Sequence, residues 1–428
     1  MEARITHRTK SSFKIEIEIP YGDNILDAEE KIQQALNLGG TLSTKEAMTQ
    51  YDTDGNPILV DGQKLTSKGQ ESKKYQTPYG AVEVERHVYQ PSGGGRIYVP
   101  LENGCRIIGT STPKFAKMIT SKYAVDAAPG VQRDLEDNHN RPVAQSFIKK
   151  VTDLVGTIAE AKEETWSYDL PPMPKSVKSI AVGLDGTCLN MKEGGWREAM
   201  CGTISFFDEY GERMHTVYTA ASPEYGKETF LNRLERELKR ATHQYPKVPI
   251  IGLADGAVSN WRFLLPRTNI QLIDFWHVTE YLSSAASVMF PGTAQSEERS
   301  AWLENACHRL KHKMGSASRI LNELKNFDRS HNMNDKDRQV LRSVITYLTN
   351  NKNKMAYHKN VAKHMPIGSG VTESACKMLV KQRMCKGAAK WKDQGASVVL
   401  TLRSLHATQT RWDQFWDKYT QCGFQGTV

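Results

Sequence analysis

Hydrophobic residues recur along this chain in two regular patterns, one typical of β-strands and one typical of helices. Residues 13–19 alternate strictly between apolar and charged side chains, as a strand with one buried face does. Residues 79–89 and 95–100 share this texture and flank a glycine-rich stretch, which predicts a β-hairpin. Between these segments, Asn24 precedes apolar residues at helical spacing and predicts a helix to about Leu36.

Helical spacing takes over from residue 113 onward. Three segments, 113–124, 130–137 and 141–161, are helical in pattern and are separated by polar breaks. This arrangement is typical of a helix-turn-helix, although a plain helical linker explains it equally well. In a helix-turn-helix, the third helix would present three polar side chains to DNA, namely Ser146, Lys149 and Lys150.

A proline-rich stretch at residues 168–174 marks a domain boundary, and the pattern beyond it predicts an α/β domain. Three strand-like runs come first, an amphipathic helix follows, and a strand, a helix and a further strand complete the series. This is the element order of an RNase H-like fold, in which the first and fourth strands lie side by side. The predicted segments are 179–189, 196–208, 213–220, 227–243, 249–255, 258–265 and 270–275, followed by a helical region at 277–362.

Three carboxylates occupy positions where such a domain would carry out chemistry. Asp185 and Asp255 each end an apolar run and precede a glycine, and Glu373 follows the glycine-rich turn at 368–370. A strand ending in Asp-Gly is more often a plain turn, but adjacent first and fourth strands would bring the two aspartates together. Hard cations bind through carboxylate oxygens, and two of them about 3.5–4 Å apart support in-line phosphoryl transfer. We therefore expect these residues to bind two Mg²⁺ ions, for which Mn²⁺ can substitute.

The charge of the chain favours a polyanionic partner. Lys and Arg number 57 against 48 Asp and Glu, which gives a net charge of +9. Basic residues cluster in the helical region and near the C-terminus, where DNA contact and an ordinary solvated face are equally good explanations. The predicted DNA contacts there are Arg309, Lys311, Lys313, Lys381, Arg383, Lys386, Lys390 and Trp391.

The cysteines and the apolar segments indicate where the protein is located and whether it contains structural zinc. The seven cysteines include no Cys-x-x-Cys pair, the N-terminus lacks the apolar core of a signal peptide, and no apolar run could span a membrane. We expect a reduced, cytoplasmic protein with no membrane contact and no structural zinc. Cys307, His308 and His312 have helical spacing for a metal trio, but a basic helix face explains them better because no fourth ligand is near.

Four motifs resemble the signatures of bacterial insertion-sequence DDE transposases, most closely the ISKra-type branch related to Mutator-like elements. They are Leu-Asp-Gly-Thr at 184–187, Leu-Ala-Asp-Gly-Ala at 253–257, Asp-Phe-Trp-His at 274–277 and Ile-Gly-Ser-Gly-Val-Thr-Glu at 367–373. The resemblance implies a catalytic triad of Asp185, Asp255 and Glu373. It also implies that Asp274 and His277 form the Asp-x-x-His motif of these enzymes. Taken alone, His277 is better explained as a packed core histidine than as a site residue, and Asp274 can be explained as a helix N-cap.

The same resemblance implies magnesium-dependent cleavage at the ends of a mobile element, followed by strand transfer into target DNA. The partners would be double-stranded DNA, carrying terminal inverted repeats or the target site, and further copies of the chain in a dimer or larger multimer near the bacterial nucleoid. Many relatives have a cysteine-bearing zinc hairpin that is lacking here. A non-catalytic DNA-binding derivative and an RNase H-like nuclease without strand transfer are the alternatives.

The patterns and the resemblance together define a domain plan. We expect a β/α N-terminal region with a hairpin, a helical DNA-binding region, and an RNase H-like core interrupted by an all-α insertion. The corresponding residues are 1–110 for the N-terminal region, 111–168 for the DNA-binding region, 175–282 and 365–428 for the core with its basic C-terminal helices, and 283–364 for the insertion.

Overall fold

The computed structural model describes residues 1–423 of the 428-residue chain. The chain forms two compact units, one comprising Met1–Tyr168 with the described residues from Thr401 onward, the other comprising Asp169–Leu400. Both combine helices with β-sheet, so the predicted mixed α/β class is confirmed. Residues 424–428, assigned by the domain plan to the C-terminal part of the core, lie outside the described residues.

The first unit contains a two-stranded and a three-stranded antiparallel sheet together with helices. Asn24 caps the first helix, as predicted, by accepting a hydrogen bond from the Asp27 amide at 3.0 Å. The elements are β1 (Glu2–Arg8), β2 (Phe13–Glu18), α1 (Ile25–Thr49), β3 (Ile58–Val60), β4 (Gln63–Gln76), β5 (Ala81–Pro91), α2 (Pro100–Gly104), α3 (Pro113–Val125), α4 (Ala128–His139) and α5 (Gln145–Lys162).

Two predictions for this unit were wrong. Helix α1 does not end near Leu36 but continues through two glycines to Thr49. Gly39 packs directly on Ile17 of β2, where any Cβ would overlap that side chain, so packing on the sheet outweighs the low helix propensity of glycine. The strand predicted at 95–100 does not form. Tyr98 makes only an isolated bridge, and β5 pairs instead with β4, whose residues carry little hydrophobic pattern.

The second unit is built on a five-stranded mixed sheet with the order β10-β9-β6-β7-β8. The first three strands in sequence, β6, β7 and β8, are antiparallel, whereas β9 and β10 run parallel to β6. The first and fourth strands are therefore neighbours, as predicted. The elements are β6 (Ser179–Met191), β7 (Gly195–Phe207), β8 (Arg213–Ala221), α6 (Gly226–Gln244), β9 (Ile250–Ala254), α7 (Val258–Leu264) and β10 (Ile270–Ile273).

Helices dominate the rest of the second unit and share one hydrophobic core with the sheet. Val278, Leu282 and Leu348 from these helices are buried in the same cluster as Val182 and Ile251 from the strands. Burial of apolar side chains against the sheet stabilises the helical region. The helices are α8 (Phe275–Met289), α9 (Ser296–His312), α10 (Ser316–Ser330), α11 (Asp335–Asn351), α12 (Tyr357–Val361), α13 (Gly370–Ala375), a π-helical segment at Cys376–Lys381, α14 (Gln382–Met384) and α15 (Asp393–Ala407), whose residues from Thr401 onward are assigned to the first unit.

The last described helix, α16 (Gln409–Cys422), belongs to the first unit. Phe415 is buried with its ring 5.7 Å from that of Trp166, and Asp413 forms an ion pair with Lys117 at 2.9 Å. The two ends of the chain therefore contribute to one unit. Across residues 1–423, no helix combines the length and the apolar character needed to cross a membrane.

Candidate metal centre

The candidate site lies at the carboxyl ends of β9 and β10 and beside the middle of the neighbouring strand β6, all in the second unit. Strands β6, β9 and β10 are neighbours and pair in register. Asp185 lies two residues beyond the last pair that β6 makes with β9, while Asp255 and Asp274 directly follow β9 and β10. The three aspartates therefore lie at the same level on three adjacent strands, and neighbouring strands are about 4.8 Å apart. This arrangement confirms the prediction that Asp185 and Asp255 come from adjacent strands.

Asn260 in α7 connects the first two of these strand ends. Its Nδ2 donates to the Leu184 carbonyl at 3.4 Å and to Asp255 Oδ1 at 3.3 Å, and the Ala257 amide donates to the same Oδ1 at 3.0 Å. Asn260 is buried, so it holds these groups from the protein interior. Among the described residues, Oδ2 of Asp255 has no hydrogen-bond partner, which leaves this oxygen available to a cation.

Asp274 is fully buried and caps the N-terminus of α8. Its Oδ1 accepts a hydrogen bond from the His277 amide at 2.8 Å, and its Oδ2 accepts one from the Ser369 amide in the turn before Glu373. Burial alone would raise the pKa of Asp274, but the hydrogen bonds from His277 and Ser369 outweigh it and lower the pKa to about 2. The carboxylate is therefore ionised, and it joins the start of α8 to the Glu373 turn.

The ring of His277 lies beside two carboxylates. Its Nδ1 is 3.4 Å from Asp274 Oδ1 and 3.7 Å from Glu373 Oε1. Asp274 raises the pKa of His277 to about 9 against the opposing effect of burial, and Glu373 adds to the rise. At neutral pH the ring is thus an imidazolium that attracts Glu373. Its side chain is 39% exposed, so the alternative of a packed core histidine is not supported.

Glu373 joins the cluster from α13, where Ser369 Oγ donates to its Oε1 at 3.1 Å. Ligand atoms of Asp274, His277 and Glu373 lie within 4.8 Å of one another, the one such group of potential metal ligands found in residues 1–423. Asp185 and Asp255 are not in this group. The predicted triad therefore differs from the three residues that the structure brings closest, because the capping turn at Ser369 holds Glu373 against Asp274.

Two side chains beyond Ser369 fix the Glu373 helix against the sheet. Thr372 hydrogen-bonds Thr203 of β7 at 2.7 Å between hydroxyl oxygens. The Cys376 thiol donates to Asp185 Oδ2 at 3.6 Å. A neighbouring thiol, Cys201, together with burial, raises the pKa of Cys376 well above its usual range, so the thiol keeps its proton.

The donor set suits a hard cation better than a soft one. Most of the potential ligand atoms at the site are carboxylate oxygens, which are ligands of Mg²⁺ and Mn²⁺. They come from Asp185, Asp255, Asp274 and Glu373. His277 can bind a metal only after it loses its proton. Cys307, His308 and His312 are not among the groups of potential metal ligands found within residues 1–423.

The residues predicted to contact DNA fall into two sets. Arg383 is only 8% exposed and lies over the Trp391 ring at 5.5 Å. The Trp391 indole donates a hydrogen bond to the Met384 carbonyl at 2.8 Å. Both side chains are therefore held within the fold. Arg309 forms a two-point ion pair with Glu323, and Lys311 lies over the Phe275 ring at 4.7 Å. The remaining predicted residues are exposed, namely Ser146, Lys149 and Lys150 in α5 and Lys313, Lys381, Lys386 and Lys390 in the second unit.

Sequence reasoning missed the residues that support the carboxylates. Ser369 and Cys376 are remote in sequence from the carboxylates they hold. Asn260 is near Asp255 in sequence, but its contact with the Leu184 carbonyl is long-range and no periodicity reveals it. The only available signals were the Gly-Ser-Gly turn around Ser369 and the position of Cys376 one helical turn after Glu373. Comparison of the sequence with protein-family models and with curated proteins finds no match to either.

Proposed function

We propose that this protein is a DDE transposase whose second unit is an RNase H-like catalytic core with a helical insertion. The observation that carries the proposal is the group of acidic residues at the carboxyl ends of β9 and β10 and at the adjacent position of β6. Three aspartates lie there side by side, and Glu373, which is remote from them in sequence, is held beside Asp274. The sheet order β10-β9-β6-β7-β8, in which β7 runs antiparallel to the other four strands, supports that fold.

In this proposal, Asp185, Asp255 and Glu373 hold two Mg²⁺ ions, and Asp274 and His277 organise the site. Bound magnesium would activate the attacking oxygen and stabilise the leaving oxygen during phosphodiester cleavage and strand transfer. Asp274, capping α8 and accepting from Ser369, fixes the turn that carries Glu373. The His277 imidazolium holds Glu373 by charge, and on losing its proton it becomes available as an additional ligand.

Double-stranded DNA is the proposed partner, as element ends and as target, with the chain acting as a dimer or larger multimer. The net charge of +9 and the exposed lysines near the C-terminal part of the second unit support contact with phosphates. The exposed side chains on α5 are the proposed readers of the terminal repeats. We further propose that the protein functions in the bacterial cytoplasm at the nucleoid.

The deciding experiment measures magnesium-dependent cleavage and joining of DNA that carries the element's ends. Asp185→Asn, Asp255→Asn and Glu373→Gln keep the side-chain shape but remove the charge that holds the cations, so each should abolish cleavage while DNA binding survives. Glu228→Gln, on an exposed position of α6, is the matched control and should cleave normally. A carboxylate variant with near-normal cleavage would remove that residue from the proposed triad.

The same assay separates the two alternatives. Cleavage without joining would identify an RNase H-like nuclease, and end-specific binding without cleavage by the wild-type protein would identify a DNA-binding derivative. The four carboxylates gathered at the sheet edge favour the catalytic proposal, because a chain that only binds DNA has no need to collect negative charge at one site.

A further inference from the structure

Cys376 lies one helical turn after Glu373 and is 4% exposed. Its Sγ donates to Asp185 Oδ2 at 3.6 Å, and the Gly186 amide donates to the other oxygen, Oδ1, at 2.7 Å. Each oxygen of the Asp185 carboxylate thus accepts one hydrogen bond and keeps a further lone pair. The contact links the first carboxylate of the proposed triad to the helix that carries the last.

The Cys376–Asp185 hydrogen bond is one of two side-chain contacts between the segment that carries Glu373 and the β6–β7 strand pair. At the first, Thr372 packs on Gly183 and bonds Thr203, which is opposite Gly183 in the strand register. At the second, Cys376 meets Asp185. Residues two apart on a strand are about 6.6–6.8 Å apart, and residues four apart on a helix rise about 6 Å. The two spacings agree, so Thr372 and Cys376 can contact Gly183 and Asp185, two residues on the same face of β6.

The backbone geometry changes at the same residue. The α-helical turn that carries Glu373 ends at Ala375, and a π-helical segment occupies Cys376–Lys381. Wider turns of this kind are rare and occur frequently at functional sites. The change from α-helical to π-helical geometry is a backbone observation, separate from the thiol contact, and it too begins at Cys376.

Building on the proposed function, we infer that Cys376 is a positioning residue whose thiol sets the orientation of Asp185 relative to Glu373, so that both carboxylates serve one cation site. A thiol is an uncharged, weak donor. It orients the carboxylate and leaves the full negative charge available to a cation, whereas a lysine or arginine at this position would compete with the metal. Within residues 1–423, the other hydrogen bond to the Asp185 carboxylate comes from the amide of its own neighbour, Gly186.

The test compares Cys376→Ala with Cys201→Ala and Cys376→Ser in the full chain. Cys201 is the matched control because it is a fully buried thiol beside Cys376 and opposite Asp185 in the strand register, it makes no hydrogen bond to Asp185 among the described residues, and its removal leaves the Cys376 donor to Asp185 in place. Mn²⁺ affinity without DNA, measured by electron paramagnetic resonance, is the primary readout. Magnesium dependence of cleavage and melting temperature are measured on the same preparations.

Removal of a residue that orients a metal ligand typically weakens metal affinity by 10–100-fold, and for a weak thiol donor we expect about tenfold in Cys376→Ala. Cys376→Ser restores a donor and should bind Mn²⁺ more tightly than Cys376→Ala. Cys201→Ala should bind like the wild type, although both alanine variants lose similar thermal stability. Equal Mn²⁺ affinity in Cys376→Ala and Cys201→Ala would overturn the inference.

The outcomes also separate this inference from the proposed function. If the wild type cleaves DNA and Cys376→Ala binds Mn²⁺ and cleaves as Cys201→Ala does, the inference fails and the proposed function stands. If the wild type binds Mn²⁺ without cleaving DNA, the catalytic proposal fails, and the affinities still decide the role of Cys376. A wild-type protein that binds no Mn²⁺ overturns the inference.

Discussion

The interaction between Asp274 and His277 makes the stability of the second unit depend on pH. The pKa of His277 rises from its ordinary 6.5 to about 9, so its contribution is complete below pH 6.5 and is lost as the pH rises through 9. The pKa of Asp274 falls from 3.8 to about 2, so its contribution is present above pH 3.8 and is lost as the pH falls through 2. The pair therefore stabilises the fold most between pH 3.8 and 6.5.

Substituting His277 should reveal this dependence directly. His277→Gln keeps a polar side chain without the charge, so it should melt below the wild type between pH 3.8 and 6.5. The gap should narrow as the pH passes 9, where the wild-type ring also becomes neutral. Melting temperature across this range is the measurement, with His308→Gln, on an exposed position of α9, as the control. A gap that stays constant with pH would show that His277 stabilises by packing.

At the level of single residues, the sequence predicted the candidate acids but not how they are grouped. Asp185 and Asp255 were identified because each follows an apolar run and precedes a glycine, a local signal. Their hydrogen-bond partners depend on chain segments brought together only by folding. For example, Asp274 accepts from the amide of Ser369, and no periodicity within either segment predicts that contact.

At the level of elements, prediction succeeded where hydrophobic periodicity determines the structure. Strands β6, β7 and β8 are buried along most of their length, and their predicted bounds differ from the observed ones by at most two residues. Strand β4 was missed because it is held by backbone pairing with β5, and its sequence is mostly polar. Backbone hydrogen bonds leave no mark on side-chain periodicity.

The close packing of α13 on β6 depends on a glycine. A Cβ at Gly183 would overlap Thr372 Oγ1 and lie 3.1 Å from the Thr372 Cβ. We therefore expect Gly183→Ala to destabilise the protein by roughly 1–3 kcal/mol, as overpacking of a core does, measured by urea denaturation. Thr372→Ala removes the overlapping oxygen, so the double variant should lose less stability than the sum of the single variants.

The matched control for this experiment is Gly370→Ala in the same helix. A Cβ at Gly370 would meet no atom within 4 Å, and alanine is favoured over glycine in helices by about 0.5–1 kcal/mol. This variant should therefore be as stable as the wild type or more stable. Additive losses in the Gly183 and Thr372 variants would show that the two residues do not share the close contact.

At the level of the whole molecule, the division of the chain does not follow its sequence order. The described residues from Thr401 onward belong to the unit formed by Met1–Tyr168, and α16 buries Trp412, Phe415 and Trp416 there. An amphipathic helix near a C-terminus shows which face it buries but not which distant segment covers that face. The pairing of the two chain ends is thus a feature that sequence periodicity could not predict.

The two units should make different contributions to DNA binding, and charge substitutions in the full chain can separate them. The exposed side chains of Ser146, Lys149 and Lys150 lie on α5 of the first unit, and those of Lys381, Lys386 and Lys390 lie in the second unit. If α5 reads the element ends, alanine at its three positions should reduce the preference for end DNA over random DNA. If the second set contacts phosphates, alanine at those three positions should weaken binding to both DNAs equally.

The salt dependence of binding makes this distinction quantitative. Each phosphate contact contributes about −0.9 to the slope of log affinity against log salt concentration, so loss of Lys381, Lys386 and Lys390 should reduce the magnitude of the slope by up to about 2.7. The α5 variant should lose discrimination with a smaller change in slope, since contacts with base edges release few counterions. Fluorescence anisotropy with both DNAs over a salt series measures both quantities. Unchanged discrimination in the α5 variant would place recognition of the element ends on another surface.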